Sequence, residues 1–264
     1  NDQGKSAELI VEKWRAQMKW PLVYEVEPKP GIPFVRNRLL RQTKDAEFIA
    51  FIDDDEIADP GWLDELLSIQ SIYGAGVVMG PVIPVYDAPP PDWITKGRFH
   101  ASGRFEDGPT ESDLITWNVL IRRNIFDRFN ISFDERMALT GGTDVLLGRM
   151  LRSVGVKFFW ADKALVKEIN PPERSRLKWL LLRRFRAGTA GVLILKYSGE
   201  PWYRLKSLGI AIKLFLIGTL KALTFIWNGK YAVFKGAGYL CQGLGAVSGL
   251  FGFSYQEYKY IHRS

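Results

Sequence analysis

Short apolar runs alternate along the chain with segments in which apolar residues recur every three or four positions. The runs predict β-strands, and the periodic segments predict α-helices. Because strands and helices alternate over residues 1–170, we expect an α/β fold with a mostly parallel sheet flanked by helices. The predicted strands are 22–26, 48–52, 76–85, 114–122 and 156–166, and the predicted helices are 6–19, 33–43, 62–73 and one between Gly141 and Gly155.

The apolar run Phe48 to Ile52 is typical of a strand that is buried on both faces. Four carboxylates follow it at once, at Asp53, Asp54, Asp55 and Glu56. Adjacent like charges at the edge of a core repel one another, and a divalent cation with oxygen ligands is the simplest way to offset that repulsion. Ligands of α/β sheets bind at the carboxyl ends of strands, where this cluster is expected. In the alternative interpretation these residues form a polar loop, and Asp59 caps a helix that starts at Pro60.

Beyond Pro172 the sequence becomes basic and then strongly apolar. Residues 173–187 predict a basic helix, and the runs 207–227 and 231–253 predict a hydrophobic helical hairpin. Lysines recur along the first run, at Lys206, Lys213 and Lys221, which favours a helix lying in the plane of a membrane surface. A soluble helical subdomain or an oligomer interface remains the alternative. The expected units are an α/β core (1–170), a basic helical segment (171–206), a membrane-associating hairpin (207–256) and a tail (257–264).

Charge is distributed unevenly along the chain. The formal net charge is +7, yet residues 171–264 contain 15 Lys and Arg against 3 Asp and Glu, so the rest of the chain is acidic. A basic segment that also contains long apolar runs favours an anionic membrane over nucleic acid. The single cysteine, Cys241, excludes an intrachain disulfide and fits a reducing compartment. The two histidines, His100 and His262, are too few and too distant for a histidine metal site.

Three motifs occur in a fixed order, and a fourth segment follows them. They are Pro30 to Arg38, Phe51 to Glu56, and Thr140 to Asp144 with Arg149 and Gly155 after it. Together they resemble the family 2 glycosyltransferases, which have a GT-A (Rossmann-like) fold. The later residues Asn170 to Arg174, Trp179, Arg183, Arg184 and Gly188 resemble a subgroup that acts in bacterial exopolysaccharide and surface-glycan assembly. The resemblance covers roughly residues 1–190.

The resemblance implies an inverting transfer of a sugar from a nucleoside-diphosphate sugar, with a UDP-sugar as the expected donor. It assigns Asp53 and Asp55 to a Mg²⁺ or Mn²⁺ ion, and Asp144 to the general base. For Asp144 a plain helix cap remains the alternative, and Thr143 stands where the family usually has Glu. The residues it places at the donor are Asp53, Asp54, Arg36, Asn37, Thr116, Asn118, Arg183 and Arg184. A solvated helix face for Arg36 and Asn37, contact of Arg183 and Arg184 with anionic lipid, and a core position for Trp117 are the competing interpretations.

Family members begin with a βαβ unit that holds the nucleotide, and we expect this opening unit to be absent here, with Asp2 just after it. The resemblance further implies a lipid-linked glycan acceptor, polysaccharide biosynthesis and a place on the cytoplasmic face of the inner (plasma) membrane, as a peripheral or monotopic protein. No nucleic acid is expected as a partner. An inactive GT-A-like scaffold of a membrane glycan-assembly complex is the alternative, and a nucleotidyltransferase is a weaker one.

Overall fold

The computed structural model describes residues 4–256, so the expectations for Asp2, His262 and the tail at 257–264 lie outside the described residues. The helices are α1 (Glu8–Arg15), α2 (Ile32–Gln42), α3 (Trp62–Tyr73), α4 (Asp92–Gly97), α5 (Asn124–Arg128), α6 (Thr143–Ser153), α7 (Leu177–Tyr197), α8 (Tyr203–Leu223), α9 (Phe225–Asn228) and α10 (Lys230–Leu250). The strands are β1 (Phe48–Ile52), β2 (Glu56–Ala58), β3 (Val77–Met79), β4 (Val82–Tyr86), β5 (Gly108–Pro109), β6 (Asn118–Arg122), β7 (Phe158–Trp160) and β8 (Val166–Asn170).

Two mixed sheets form the α/β part, which confirms the predicted fold class. The larger sheet has the order β1-β6-β3-β7-β5, and the smaller one has the order β2-β8-β4. In the larger sheet β1, β3 and β7 run in one direction, because β6 pairs antiparallel with both β1 and β3 while β3 and β7 pair in parallel. The expectation of mostly parallel pairing is therefore wrong, although the shared direction of these three strands is as predicted. The antiparallel strand β6 separates two of them.

The first strand of the larger sheet is only half buried. Ile49 and Phe51 point into the core, whereas Ala50 and Ile52 are exposed. The expectation that this strand is buried on both faces is thus wrong. The face of β1 that carries Ile49 and Phe51 packs into the core, whereas the face that carries Ala50 and Ile52 is left uncovered.

The run 76–85, predicted as one strand, is divided between the two sheets. It breaks at Gly80 and Pro81, so that β3 belongs to the larger sheet and β4 to the smaller. A Cβ atom at Gly80 would lie 2.5 Å from the carbonyl oxygen of Ala164, so only glycine fits at this close approach. The predicted strand at 22–26 is not formed. Helix α3 begins at Trp62 after Gly61, and Asp59 pairs with Lys167 rather than capping a helix at Pro60.

The C-terminal helices pack closely against one another. Helices α8 and α10 form the predicted hairpin around Gly229, and α10 also lies along α7. A Cβ atom at Gly188 would lie 2.1 Å from the carbonyl oxygen of Gln242, and one at Gly245 would lie 2.1 Å from that of Phe185. The α7 and α10 backbones therefore touch, which requires glycine at the crossing point.

Among the helices formed by residues 4–256, none is both long enough and sufficiently apolar to span a lipid bilayer.

Candidate active site

The acidic loop that follows β1 is held in a tight turn between the two sheets. The backbone N–H of Asp53 donates to the carboxylate of Glu56 at 2.7 Å, and the N–H of Glu56 donates to the carbonyl of Asp53 at 3.3 Å. Beyond the turn, the N–H of Ile169 in β8 donates to the carbonyl of Asp55 at 2.9 Å. These bonds fix the acidic loop between β1 and β2.

The start of α6 brings another carboxylate to the same place. Gly141 and Gly142 have φ values of +76° and +80°, a left-handed conformation that glycine adopts without strain. The double turn lets α6 begin at Thr143, with Asp144 in its first turn. The carboxylate of Asp144 accepts the N–H of Val145 at 2.9 Å. The N-cap position is Gly142, so Asp144 is not the N-cap residue, although its carboxylate satisfies an N–H group at the positive end of the helix.

Both elements open onto one cavity of about 230 Å³. Its charged lining consists of four carboxylates and four guanidinium groups, from Asp53, Asp55, Asp144, Glu168, Arg36, Arg174, Arg183 and Arg186. Thr116, Trp117, Trp179 and the two glycines before α6 complete most of the wall. Charges of both signs thus meet at the carboxyl end of β1, the edge at which α/β sheets bind their ligands.

Two of the arginines are paired directly with the acidic loop. Arg36 lies 3.5 Å from Asp53, and Arg174 lies 2.8 Å from Asp55. Arg174 also lies 3.0 Å from Glu168, so one guanidinium joins the acidic loop to β8. The repulsion predicted within the acidic cluster is offset in this structure by guanidinium groups.

Burial controls the protonation of these acids. It raises the pKa of Asp53, while the nearby Arg36 acts in the opposite direction. Burial likewise raises the pKa of Asp144, again opposed by Arg36. Burial raises the pKa of Glu56 to about 8, although the bond from the Asp53 N–H lowers it. A carboxylate with a raised pKa is a stronger base, which suits Asp144 to accepting a proton.

Several residues predicted from the sequence lie together at the cavity. They are Asp53, Asp55, Asp144, Arg36, Thr116 and Arg183. The hydroxyl of Thr116 is buried and has no hydrogen-bond partner among the described residues. Its hydrogen-bonding capacity is therefore unused within the described part of the chain.

Two predicted donor-binding residues make structural contacts. The side-chain amide of Asn37 donates to the carbonyl of Phe133 at 2.9 Å and accepts its N–H at 3.0 Å. Asn118 donates to the carbonyls of Pro81 and Ala164 at 2.9 and 2.7 Å, and accepts the indole N–H of Trp62 at 2.7 Å. Both side chains are thus buried and used by the fold, and neither lines the cavity, so their contact with the donor stays a prediction.

Asp54 and Arg184 lie outside this cavity. Asp54 is exposed, and Arg184 lines a neighbouring cavity instead. Trp117, expected in the core, stands in the wall between the two cavities. Its indole Nε1 is buried without a hydrogen-bond partner in the described part of the chain.

Three charged residues of the site were not predicted from the sequence. Glu168 reaches it because β8 pairs with β2 in a register that sets Glu168 opposite Glu56. Arg174 lies just beyond the C-terminal end of β8, and Arg186 lines the cavity from α7. The sequence signal for Arg174 is the segment Asn170 to Arg174, which resembles the glycan-assembly subgroup.

The described side chains offer a limited set of metal ligands. Residues 4–256 contain no group of three or more His, Cys, Asp and Glu side chains placed to hold a metal ion. Asp53 and Asp55 nonetheless line the same cavity, and both are partly exposed. Mg²⁺ sites in nucleotide enzymes commonly use one or two carboxylates together with substrate phosphates. The donor set therefore fits an ion that arrives with a phosphate ligand.

Comparison with known proteins identifies the family of the first half of the chain. Residues 3–129 match the family model described as glycosyl transferase family 2. This region belongs to that family. The match confirms the resemblance drawn from the motifs; it includes Asp53 and Asp55, and it ends before Asp144.

A curated relative extends the likeness further along the chain. The succinoglycan biosynthesis protein ExoM of Rhizobium meliloti (strain 1021) is 32% identical over 194 residues, which cover 71% of this chain. The match spans 60% of that relative's own length. What ExoM does as a whole protein is therefore carried to this chain only as a proposal.

Solved structures give a weaker likeness. S. aureus TarS 1–349 in complex with UDP-GlcNAc has a TM-score of 0.49 at 15% identity, covering 96% of this chain and 81% of that one. GalNAc-T7 with UDP, GalNAc and Mn²⁺ has a TM-score of 0.48 at 13% identity, covering 77% and 48%.

Proposed function

We propose that this protein is an inverting, metal-dependent glycosyltransferase of polysaccharide biosynthesis. It moves a sugar from a nucleoside-diphosphate sugar, with UDP-sugars as the first candidates, to a hydroxyl of a lipid-linked glycan. The observation that carries the proposal is the meeting of Asp53, Asp55 and Asp144 in one cavity. The family match of residues 3–129 supports it.

The acidic loop would hold the cation. Asp53 and Asp55 offer carboxylate oxygens, the ligands that Mg²⁺ and Mn²⁺ prefer. A bound divalent ion supplies charge neutralisation for a diphosphate leaving group. The remaining coordination positions suit phosphate oxygens of the donor.

The arginines would receive the charge that develops on the leaving diphosphate. Arg36, Arg183 and Arg186 line the cavity beside the acidic loop. Guanidinium groups bind phosphate oxygens through fixed pairs of N–H donors. Because burial in this site lowers the local dielectric, each such bond counts for more than it would in water.

Asp144 would accept the proton of the attacking acceptor hydroxyl. Its carboxylate is held by the N–H of Val145 at 2.9 Å, which fixes its orientation. Burial raises its pKa, so the ionised form is a stronger base than an ordinary aspartate. A direct attack of this kind, without a covalent enzyme intermediate, inverts the configuration at the sugar carbon.

The exposed face of α8 would rest on the cytoplasmic face of the plasma membrane. Six apolar residues of this face are between 44% and 64% exposed, namely Leu205, Leu208, Ile212, Leu216, Leu220 and Leu223. Their spacing of three or four residues places them on one side of the helix. Lys206, Lys213 and Lys221 are also exposed and lie beside this stripe, where lysines contact lipid headgroups.

The decisive experiment is a transfer assay on the full chain with a panel of labelled sugar nucleotides and Mn²⁺. We expect transfer or slow donor hydrolysis with one donor, and a loss of about 100-fold or more in Asp55→Asn, since a leaving group without its cation is poorly stabilised. Asp45→Asn is the matched control, because Asp45 is exposed and lies near β1. Absence of activity with every donor would contradict the proposal.

The ion pairs of the acidic loop favour a second candidate function. Asp53 and Asp55 are each paired with an arginine, an arrangement that also suits a non-catalytic scaffold in a membrane glycan-assembly complex. Calorimetry with UDP and Mn²⁺ separates the two. A scaffold would bind neither, whereas the enzyme binds UDP more tightly when Mn²⁺ is present.

A further inference from the structure

A second cavity of about 320 Å³ adjoins the candidate active site. The segment that follows α4 forms one side of it, and α7 and α10 form the other. It shares Trp117, Glu168 and Arg183 with the first cavity, so only a few side chains separate them. The two cavities therefore share a wall.

One end of this second cavity is strongly basic. Arg98, Arg184 and Lys235 line it, and no carboxylate forms a salt bridge with any of the three in the part of the chain that the structure describes. Burial lowers the pKa of Lys235, as do the charges of Lys221, Arg184 and Arg98. A fold gains nothing by crowding like charges around a partly buried lysine, so an anionic ligand is the natural partner of this end.

The end at the shared wall has rings and neutral polar groups beside the charged side chains of Glu168 and Arg183. The indole Nε1 of Trp117 is buried with no partner among the described residues, and so is Nδ1 of His100. Nε2 of His100 lies 3.2 Å from the carbonyl of Arg174 and must donate to it. Burial lowers the pKa of His100, so the ring is neutral and its Nδ1 is an acceptor. One free donor and one free acceptor beside an aromatic ring suit sugar hydroxyls.

We propose that the second cavity binds a saccharide that carries a phosphate or diphosphate group. The phosphate lies against Arg98, Arg184 and Lys235, and the sugar lies against Trp117 and His100. This orientation follows from the shared wall, because Trp117 adjoins the first cavity whereas Lys235 lies on α10, away from it. The ligand is then the acceptor of the transfer reaction, an identification that rests on the proposed function. Its sugar end points towards Asp144.

The test is a calorimetric titration of the full chain, without metal and with saturating UDP to fill the donor site. The probes are geranyl diphosphate and its glucosyl ester. We expect both probes to bind to the wild type. Lys235→Gln should lower the affinity for both probes by about tenfold or more, because it removes a charge-assisted hydrogen bond. His100→Phe should lower the affinity for the glucosyl ester alone, by about fivefold. Lys178→Gln, an exposed lysine of α7, is the control.

Three results would overturn the proposal. Displacement of both probes by UDP would place them in the donor site. Equal affinity of the wild type and Lys235→Gln for the probes would mean that the basic end does not bind their phosphate groups. Binding to phosphatidylglycerol vesicles without any response to the soluble probes would assign these charges to the membrane surface. If UDP itself fails to bind, the proposed function fails, while the effect of Lys235→Gln can still be measured.

Discussion

The guanidinium group of Arg174 lies 2.8 Å from the carboxylate of Asp55. Arg174 stands between β8 and α7, whereas Asp55 ends the loop after β1, so this pair joins two distant segments at the candidate active site. Arg174 also holds Glu168 at 3.0 Å. A cation bound at Asp55 would lie close to this guanidinium.

Arg174→Gln should therefore tighten Mn²⁺ binding to the protein alone. Removing a positive charge near the ion relieves a repulsion of more than 1 kcal/mol at an effective dielectric constant of about 20, so we expect a gain of about tenfold. Calorimetry without nucleotide measures it. Arg104→Gln is the control, because Arg104 pairs with Asp162 outside the cavity. Unchanged affinity in Arg174→Gln would place the metal elsewhere.

The variant Asp144→Asn distinguishes the proposed role of Asp144 as a base from its hydrogen bond at the start of α6. Asparagine can still accept the N–H of Val145, so the variant should lose less than about 1 kcal/mol of unfolding free energy. It cannot take a proton, so single-turnover transfer should fall by about 100-fold or more. Asp134→Asn is the matched control, since Asp134 accepts the N–H of Arg136 at 2.9 Å and lies outside the cavity. Full activity in Asp144→Asn would leave Asp144 with its hydrogen bond at the start of α6 alone.

The pH profile provides an independent check on Asp144. Its pKa is raised above the ordinary value of 3.8, and the base works only when ionised. The rate of transfer should therefore fall on the acid side at a pH clearly above 3.8. Measuring kcat/KM from pH 4 upwards at saturating donor tests this expectation. A profile that stays flat down to pH 4 would contradict it, and the Asp134→Asn control should keep the wild-type profile.

Membrane contact through α8 predicts a specific loss of vesicle binding. Leu216→Asp and Leu220→Asp should each weaken cosedimentation with phosphatidylglycerol vesicles by about tenfold or more, the cost of removing a buried leucine side chain from an apolar phase. Ile72→Asp is the control, as Ile72 is 67% exposed on α3. Equal losses in all three variants would indicate a general defect and not a membrane face.

The crossing of α7 and α10 predicts opposite effects for two glycine substitutions. Gly188→Ala places a Cβ atom 2.1 Å from the carbonyl oxygen of Gln242, so it should destabilise the protein by about 1–3 kcal/mol. Gly209→Ala meets nothing within 4 Å in α8 and should stabilise it by about 0.5–1 kcal/mol. Thermal unfolding measures both. A stable Gly188→Ala would mean that the helices can separate at little cost.

Local patterns in the sequence predicted the parts of the site that depend on neighbouring residues. The acidic loop follows an apolar run, and the start of α6 follows two glycines, so both could be found without knowledge of the fold. The structural contacts of Asn37 and Asn118 have no local signal in the sequence, because their partners are remote. Asn37 bonds to Phe133, 96 positions away, and Asn118 to Trp62, 56 positions away.

Strand register explains the other omissions. Glu168 and Arg174 come to the acidic loop because β8 pairs with β2, and no local pattern encodes that pairing. The exposed face of β1 could not be predicted either, since an apolar run does not indicate whether both faces of a strand are covered. Arg183 lines both cavities, whereas Arg184 lines only the second one. Their adjacent positions on one helix could not reveal this difference.

The contact between the backbones of α7 and α10 sets a length scale for the acceptor. Arg183 lies on α7 and Lys235 lies on α10. Because the two backbones touch at the glycines of the crossing, the helices are fixed relative to each other. Helix α6 packs on α7 through Leu146, Ala190 and Ile194, so a phosphate anchored at Lys235, as proposed above, would stand at a set distance from Asp144. Under that proposal the protein would select glycans by the number of sugar units between the anchored phosphate and the hydroxyl that is extended.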